Sequence, residues 1–142
     1  MKTAAVACAM GIALLAAPLA VAADYAAGIA AGNRGDFVAA LAELEPLAEQ
    51  GDARAQFAVG QVYHRGLGAI EPDLDKARRW YEAAARQGDA NAQTNLGVMY
   101  ATGLGAPQDD DIAERWFRMA AAQGNQDAQD NLGALMRRKL TK

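Results

Sequence analysis

The residues from Ala53 to Asp89 and from Ala90 to Asn125 are two copies of one pattern, and a period of this length constrains the fold more than any other property of the chain. A unit so short cannot bury its apolar face alone. It must stack on the next copy, which predicts a quasi-linear array rather than a closed globule. Gln56 falls on Gln93, Gly60 on Gly97, Tyr63 on Tyr100, Gly66-Leu67-Gly68 on Gly103-Leu104-Gly105, Trp80-Tyr81 on Trp116-Phe117, and Gly88 on Gly124. The spacing is 37 residues in the first half of the unit and 36 in the second, with one extra residue near Glu71 making the difference. A third start appears at Ala128-Gln129-Asp130-Asn131-Leu132-Gly133, and Gly35-Asp36-Phe37 through Gly51-Asp52 matches the second half of a unit only.

Punctuation divides each unit into two helices, A and B. From Ala53 to Arg65 the residues Ala55, Val59, Val62 and Tyr63 recur on one helical face, while Gly60 admits a neighbouring element at close range. Gly97 and Gly133 share that position, and a side chain at any of the three is expected to force helices apart. Gly66-Leu67-Gly68 then breaks the helix. Helix B starts at Asp73, whose carboxylate can cap free amides, and runs to Gln87 with Leu74, Ala77, Trp80, Tyr81, Ala84 and Ala85 inward. Gly88-Asp89 ends it and caps the next helix A, a joint short enough to make neighbouring helices antiparallel. Asp24–Asn33 and Asp36–Gln50 form a shorter leading pair, with Pro46 expected to bend the second helix, and Gln126–Lys139 forms a final helix. Composition agrees: 52% of residues are hydrophobic but only 6% aromatic, which suits close-packed helices better than a β-sandwich. The expectation is an all-α fold of about seven helices in a right-handed α-solenoid of antiparallel helix pairs.

The first 23 residues stand outside that pattern. Lys2 is the only charge before Asp24, the run from Thr3 to Ala17 is apolar but short for a bilayer, and Ala20-Val21-Ala22 follows Pro18. A positive start, a short apolar stretch and an A-x-A site are the marks of a secretory signal peptide, expected to be cleaved after Ala22 or Ala23. An uncleaved anchor is the alternative. Cys8, the sole cysteine, lies inside the apolar stretch behind Val6 and Ala7, without the small-residue box of a lipoprotein signal. Cleavage removes it, and with it any disulfide, thiol nucleophile or Cys-ligated metal. The mature chain is then expected in the periplasm, not spanning a membrane. Its segments are 24–52 as a partial leading repeat, 53–88 and 89–124 as full repeats, and 125–142 as a partial repeat and tail.

The string Ala-Gln-x-x-Leu-Gly-x-Met-Tyr-x-x-Gly-Leu-Gly-Ala-Pro-Gln-Asp from Ala92 to Asp109, followed by Trp116-Phe117 and Gln123-Gly124-Asn125, resembles the Sel-one-like repeat, a bacterial-rich relative of the tetratricopeptide repeat. The unit from Ala53 to Asp89 is similar, with a one-residue loop insertion and Phe57-Ala58-Val59 where Leu is usual. The resemblance covers nearly all of the chain after the leader. It implies a non-catalytic scaffold that binds other proteins, of the kind found in exported bacterial regulators, envelope assembly factors and host-interaction proteins. It implies no cofactor and no single ligand.

The residues themselves offer little to an enzyme. His64 is the only histidine, the chain contains no serine, and no second imidazole or thiol is present to complete a metal site with His64 after cleavage. Asp109-Asp110-Asp111 lacks the spacing of a calcium loop and is expected to complement a helix start. Trp80 and Trp116 could stack on a sugar or base, but their place in helix B predicts core packing. Arg137-Arg138-Lys139 is expected to complete the last helix's C-terminus rather than to meet an acidic partner or lipid. With 14 Lys and Arg against 17 Asp and Glu, the formal net charge is −3, which gives no field to draw nucleic acid.

Binding is therefore expected on the inner surface. Arg54, Phe57, Gln61, His64 and Arg65 make a second stripe on helix A beside the core stripe, and in the tetratricopeptide relatives this stripe lines the concave groove. Its counterparts are Asn91, Thr94, Val98, Ala101 and Thr102 in the next repeat, and Asp127, Asp130, Ala134, Arg137 and Arg138 in the last helix. Phe57 stands where the others carry Thr94 and Asp130, making it a candidate hot spot, or else a residue packed under the leading helices. The expected protein is a monomeric adaptor that holds a peptide segment or protein surface. The rivals are a structural envelope component that self-associates through poorly capped repeat ends, and an enzyme accessory or weak hydrolase.

Overall fold

A computed structural model describes residues 23–142. Residues 1–22, which hold Lys2, Cys8 and the Ala20-Val21-Ala22 of the expected signal segment, lie outside the described residues. Among the described residues the chain forms helices and no strand: α1 (Tyr25–Asn33), α2 (Phe37–Glu49), α3 (Ala53–Arg65), α4 (Leu74–Arg86), α5 (Ala90–Thr102), α6 (Asp110–Ala122) and α7 (Gln126–Leu140). Each packs on the next, and α5 also touches α7. The result is an α-solenoid in which α3, α5 and α7 are the A helices and α2, α4 and α6 the B helices.

Each helix starts on an Asp or Asn whose side chain accepts from the free amides of its first turn: Asp24, Asp36, Asp52, Asp73, Asp89, Asp109 and Asn125. The A helices of the full repeats end on left-handed glycines, Gly66 at φ 61° and Gly103 at φ 76°, positions that disfavour a Cβ. The loop beyond is closed in the same way twice. The Asp73 amide donates to the Tyr63 carbonyl at 2.8 Å, and the Asp109 amide to Tyr100 at 2.9 Å. Helix α2 continues through Pro46 to Glu49 as one element.

The core lies between A and B helices in three successive clusters. Leu41, Leu44, Val59 and Val62 belong to the first, Tyr81, Leu96 and Met99 to the second, Phe117 and Leu135 to the third. The tryptophans depart from expectation. Trp80 and Trp116 are only partly buried, whereas their neighbours Tyr81 and Phe117 are fully buried. Consecutive helical residues point about 100° apart, so one aromatic of each pair faces its own A helix. The other, Trp80 or Trp116, packs on the cluster of the preceding repeat.

The repeated A-helix glycine also divides. A Cβ at Gly60 would lie 2.7 Å from the Tyr81 ring, and one at Gly97 would lie 2.4 Å from the Phe117 ring. At Gly133 the nearest atom is the Arg137 guanidinium at 3.5 Å. The expectation of forced separation therefore fails for Gly133, because no B-helix aromatic packs on it.

Paired glutamines join the repeats. Buried Gln56 donates to the Ala48 carbonyl at 3.0 Å and accepts from Gln87 at 2.8 Å. One repeat later, Gln93 donates to Ala85 at 3.1 Å and accepts from Gln123 at 2.9 Å.

Candidate functional site

The A-helix stripe forms two recesses, one repeat apart. The first, about 380 Å³, is lined by Phe57, Gln61, His64 and Arg65 of α3, Tyr81 of α4, Asn91, Thr94 and Asn95 of α5, and Asp127 of α7. The second, about 260 Å³, is lined by Val98, Ala101 and Thr102 of α5, Phe117 of α6, and Asn131, Ala134, Leu135 and Arg138 of α7. Helix periodicity brings these residues together: positions three, four and seven apart share a face, and stacking the repeats sets successive stripes side by side.

Two aromatics and an imidazole shape the first recess. Phe57 is half-buried against Tyr81, with ring centroids 5.8 Å apart and planes inclined by 37°. His64 meets the same ring edge-on, and its Nδ1 lies 3.3 Å from the Tyr81 hydroxyl. Burial pushes the Tyr81 phenol up to about 12, so it stays protonated at neutral pH. His64 is shifted the other way, to favour neutral imidazole, first by burial and then by the Arg65 charge beside it. Around this apolar wall stand the side-chain amides of Gln61, Asn91 and Asn95, with the Arg65 cation from α3 and the Asp127 carboxylate from α7. Such a set can hydrogen-bond a peptide backbone and clasp a side chain.

Three expected stripe residues line neither recess. Arg54 turns toward the leading helices: it pairs with Asp52 at 2.9 Å and lies over the Tyr25 ring at 4.6 Å from its centroid. That guanidinium, hydrogen-bonded to the Asp52 carboxylate, holds the carboxyl below its usual range. Asp130 accepts from Gln126 at 2.9 Å on its own helix, and Arg137 extends past Gly133. Thr94 lines the first recess but is almost wholly buried, its hydroxyl bonded to the Ala90 carbonyl at 2.8 Å. It is structural as much as accessible. Phe57 is at the recess rather than under α1, and packs on the second core cluster.

Tyr81, Asn95, Phe117, Asn131 and Leu135 are lining residues beyond the expected stripe. Asn95 had a visible signal, since the same position in the preceding repeat is Ala58. Tyr81 had a subtler one: its counterpart Phe117 lacks the hydroxyl that reaches His64.

The basic run at the end of α7 has partners on α6. Lys139 reaches Asp111 at 2.6 Å and Glu114 at 2.8 Å, Lys142 reaches Asp110 at 2.9 Å, and Arg138 bonds both Asp110 and, at 3.1 Å, the Ala101 carbonyl. Asp109 alone caps α6, while Asp110 and Asp111 hold α7. As expected, Asp110 and Asp111 stand in the first turn of α6 and Arg137, Arg138 and Lys139 in the last turn of α7; the pairing of these acids with α7 cations comes in addition. Among the described residues, no group of three or more His, Cys, Asp or Glu is placed to hold a metal ion, and no helix is long and apolar enough to cross a membrane.

Comparison with known proteins agrees with the fold. The Sel1 repeat family model matches residues 53–89 and 90–125. The crystal structure of a Sel1 repeat protein from Oxalobacter formigenes is similar at 35% identity and TM-score 0.71, covering 78% of this chain and 33% of that one. A protective antigen of uropathogenic Escherichia coli strains, displaying an SLR fold, is similar at 33% identity and TM-score 0.71, covering 79% of this chain and 26% of that one. The chain thus spans a third or less of these solved proteins. A search of curated proteins gives no match.

Proposed function

This chain belongs to the Sel1 repeat family, whose members generally mediate protein–protein interaction and are typically non-catalytic, and we propose from that premise that it is an exported adaptor holding a peptide segment of a partner protein along its A-helix face. The observation that carries the reading is the first recess. It joins an aromatic wall, Phe57 against Tyr81, to the side-chain amides of Gln61, Asn91 and Asn95 and to charges of both signs, all on helices of three successive repeats. A hydrolase would need a nucleophile within reach of His64, and the groups facing His64 there are a protonated phenol and an arginine. Export rests on the leader-like residues ahead of Asp24, and the same reading puts the working protein in the periplasm as a monomer.

The test is crosslinking from within the recess. A photo-reactive residue in place of Gln61, in cells producing the full-length chain, should give a discrete crosslinked partner, and one in place of Glu71, in the loop after α3, should not. Phe57→Ala should reduce the Gln61 crosslink by about tenfold or more, as loss of a central aromatic anchor does, with helicity unchanged. Intact mass of the purified product should begin at Ala23 or Asp24. Equal crosslinking from both positions, or a product retaining Met1 in the membrane fraction, overturns the corresponding half of the proposal.

A further inference from the structure

The B helices carry a second repeated feature that shares no residue with the groove. Between successive B helices lie two crevices of about 350 and 320 Å³ that share four corresponding positions, while Lys76 lines the first where Ile112 lines the second, and Arg86 lines only the second. Each has a half-buried tryptophan, an exposed arginine next to it in sequence, a glutamate from the preceding B helix and a tyrosine from the intervening A helix. These are Trp80, Arg79, Glu45 and Tyr63 in the first crevice, and their repeat counterparts Trp116, Arg115, Glu82 and Tyr100 in the second. Met119, 48% exposed, widens the apolar part of the second.

The charges in each crevice are unequal in their needs. Glu45 accepts the Tyr63 hydroxyl at 2.6 Å, and Glu82 accepts the Arg78 guanidinium at 2.8 Å, so both carboxylates already have partners. Arg79 and Arg115 form no ion pair among the described residues. Each crevice therefore offers an apolar indole wall, a satisfied acid on its floor and an unsatisfied guanidinium at its rim. Guanidinium is the group best suited to a carboxylate. A continuous polyanion would meet the floor carboxylates, which an isolated acidic side chain at the rim avoids. A second copy of this chain is a poor match, because its densest acidic cluster, Asp110, Asp111 and Glu114, is already occupied by cations of α7.

We infer that the B-helix face is a second docking surface, and that it takes an acidic segment of a protein partner seating one apolar side chain against each tryptophan. This inference is independent of the groove. Trp80 and Trp116 stand on successive B helices that touch each other little, so their spacing exceeds the ~10 Å of directly packed helices, and the two anchors of an extended segment stand about four residues apart.

The chain's own chemistry supplies the readout, since Trp80 and Trp116 are its only tryptophans. The probe is a short synthetic peptide of Glu and Gly with two Leu at that spacing, titrated into the full chain while indole emission is followed. The expected result is a saturable blue shift, reduced by about half in Trp80→Phe or Trp116→Phe, and about tenfold weaker binding in Arg79→Gln with Arg115→Gln. Both arginines are exposed, so circular dichroism of that variant should match the parent. Phe57→Ala should leave the titration unchanged, which separates failure here from failure of the groove. Any of four outcomes overturns the inference: no shift at saturating peptide, an equal shift with Gln in place of every Glu, an equal shift on concentrating the protein alone, or a shift with phosphatidylglycerol vesicles but not with peptide.

Discussion

At the residue scale, the sharpest constraint is the absence of a side chain at Gly97. Its hydrogen faces the Phe117 ring so closely that a Cβ would intrude to 2.4 Å, and Phe117 is itself 2% exposed, with no room to swing away. Gly97→Ala should therefore destabilise by about 1–3 kcal/mol through overpacking, less up to ~1 kcal/mol returned by alanine's helix propensity. Gly133→Ala meets only the flexible Arg137 guanidinium at an ordinary contact distance of 3.5 Å and should stabilise by up to ~1 kcal/mol. Paired thermal melts check both, with opposite shifts of a few degrees expected. The repeated glycine was legible in the sequence, but its split into two roles was not, because what matters is whether a B-helix aromatic packs on it. His64 gives a second residue-scale expectation. Its folded state favours neutral imidazole, so between its folded pKa and the ordinary value near 6.5 the unfolded chain binds the extra proton. Its contribution to stability is complete above about pH 6.5 and is lost as pH falls through that value toward the folded pKa. Urea midpoints of the parent should drop relative to His64→Gln across that window, and parallel curves would show that His64 titrates as it does in the unfolded chain.

At the scale of elements, helix boundaries followed the sequence closely because each start is marked by an Asp or Asn that caps and each A-to-B loop by left-handed glycines. Pairing between elements was harder to read. The run Arg137-Arg138-Lys139 looks from local sequence like a helix C-terminus matched to its own dipole, yet Arg138 and Lys139 are spent on acids of α6 more than twenty residues away. Only the packing of α7 on α6 discloses that. The Arg and Lys contacts lower the carboxyls of Asp110 and Glu114 and raise the ammonium of Lys139. The carboxylate contributions are thus present above the ordinary Asp and Glu range and disappear as pH falls through the lowered folded values. These pairs are half-buried at the surface of the last helix pair, where salt still screens them in part. Lys139→Ala should accordingly speed amide exchange in α7 while leaving α3 and α4 protected, and added salt should produce the same pattern in the parent. Uniform loosening of all helices would mean that α7 is not held separately by this network.

At the scale of the whole molecule, the array is held together by contacts between successive repeats, since stability in such a fold is a sum of repeat and interface contributions. The same construction explains how far the candidate site was legible in the sequence. The A-helix stripe came from periodicity, and Phe57, Gln61, His64 and Arg65 do line one recess with Asn91 and Asp127, whereas Arg54 is drawn off by Asp52 and Tyr25 of the shortened leading pair. The interface itself is most exposed to test at Gln93. It is 1% accessible, donates to the carbonyl of Ala85 in the preceding B helix, and accepts from Gln123 at the end of the following one. Gln93→Leu keeps the volume but leaves two groups without their partner, at a cost of about 1–3 kcal/mol for each that water cannot reach. Gln129, the counterpart in α7, is exposed and reaches Ala121 only at 3.5 Å, so Gln129→Leu should change little. Because Gln93 bridges α4 to α6, its loss should also weaken the coupling of the two full repeats. Urea unfolding of Gln93→Leu, followed in separate Trp80→Phe and Trp116→Phe backgrounds, should show the two indoles reporting midpoints that have moved apart, with a shallower overall transition by circular dichroism. Coincident midpoints at an unchanged slope would mean that apolar packing alone couples the repeats and that the glutamine pairs only fill space.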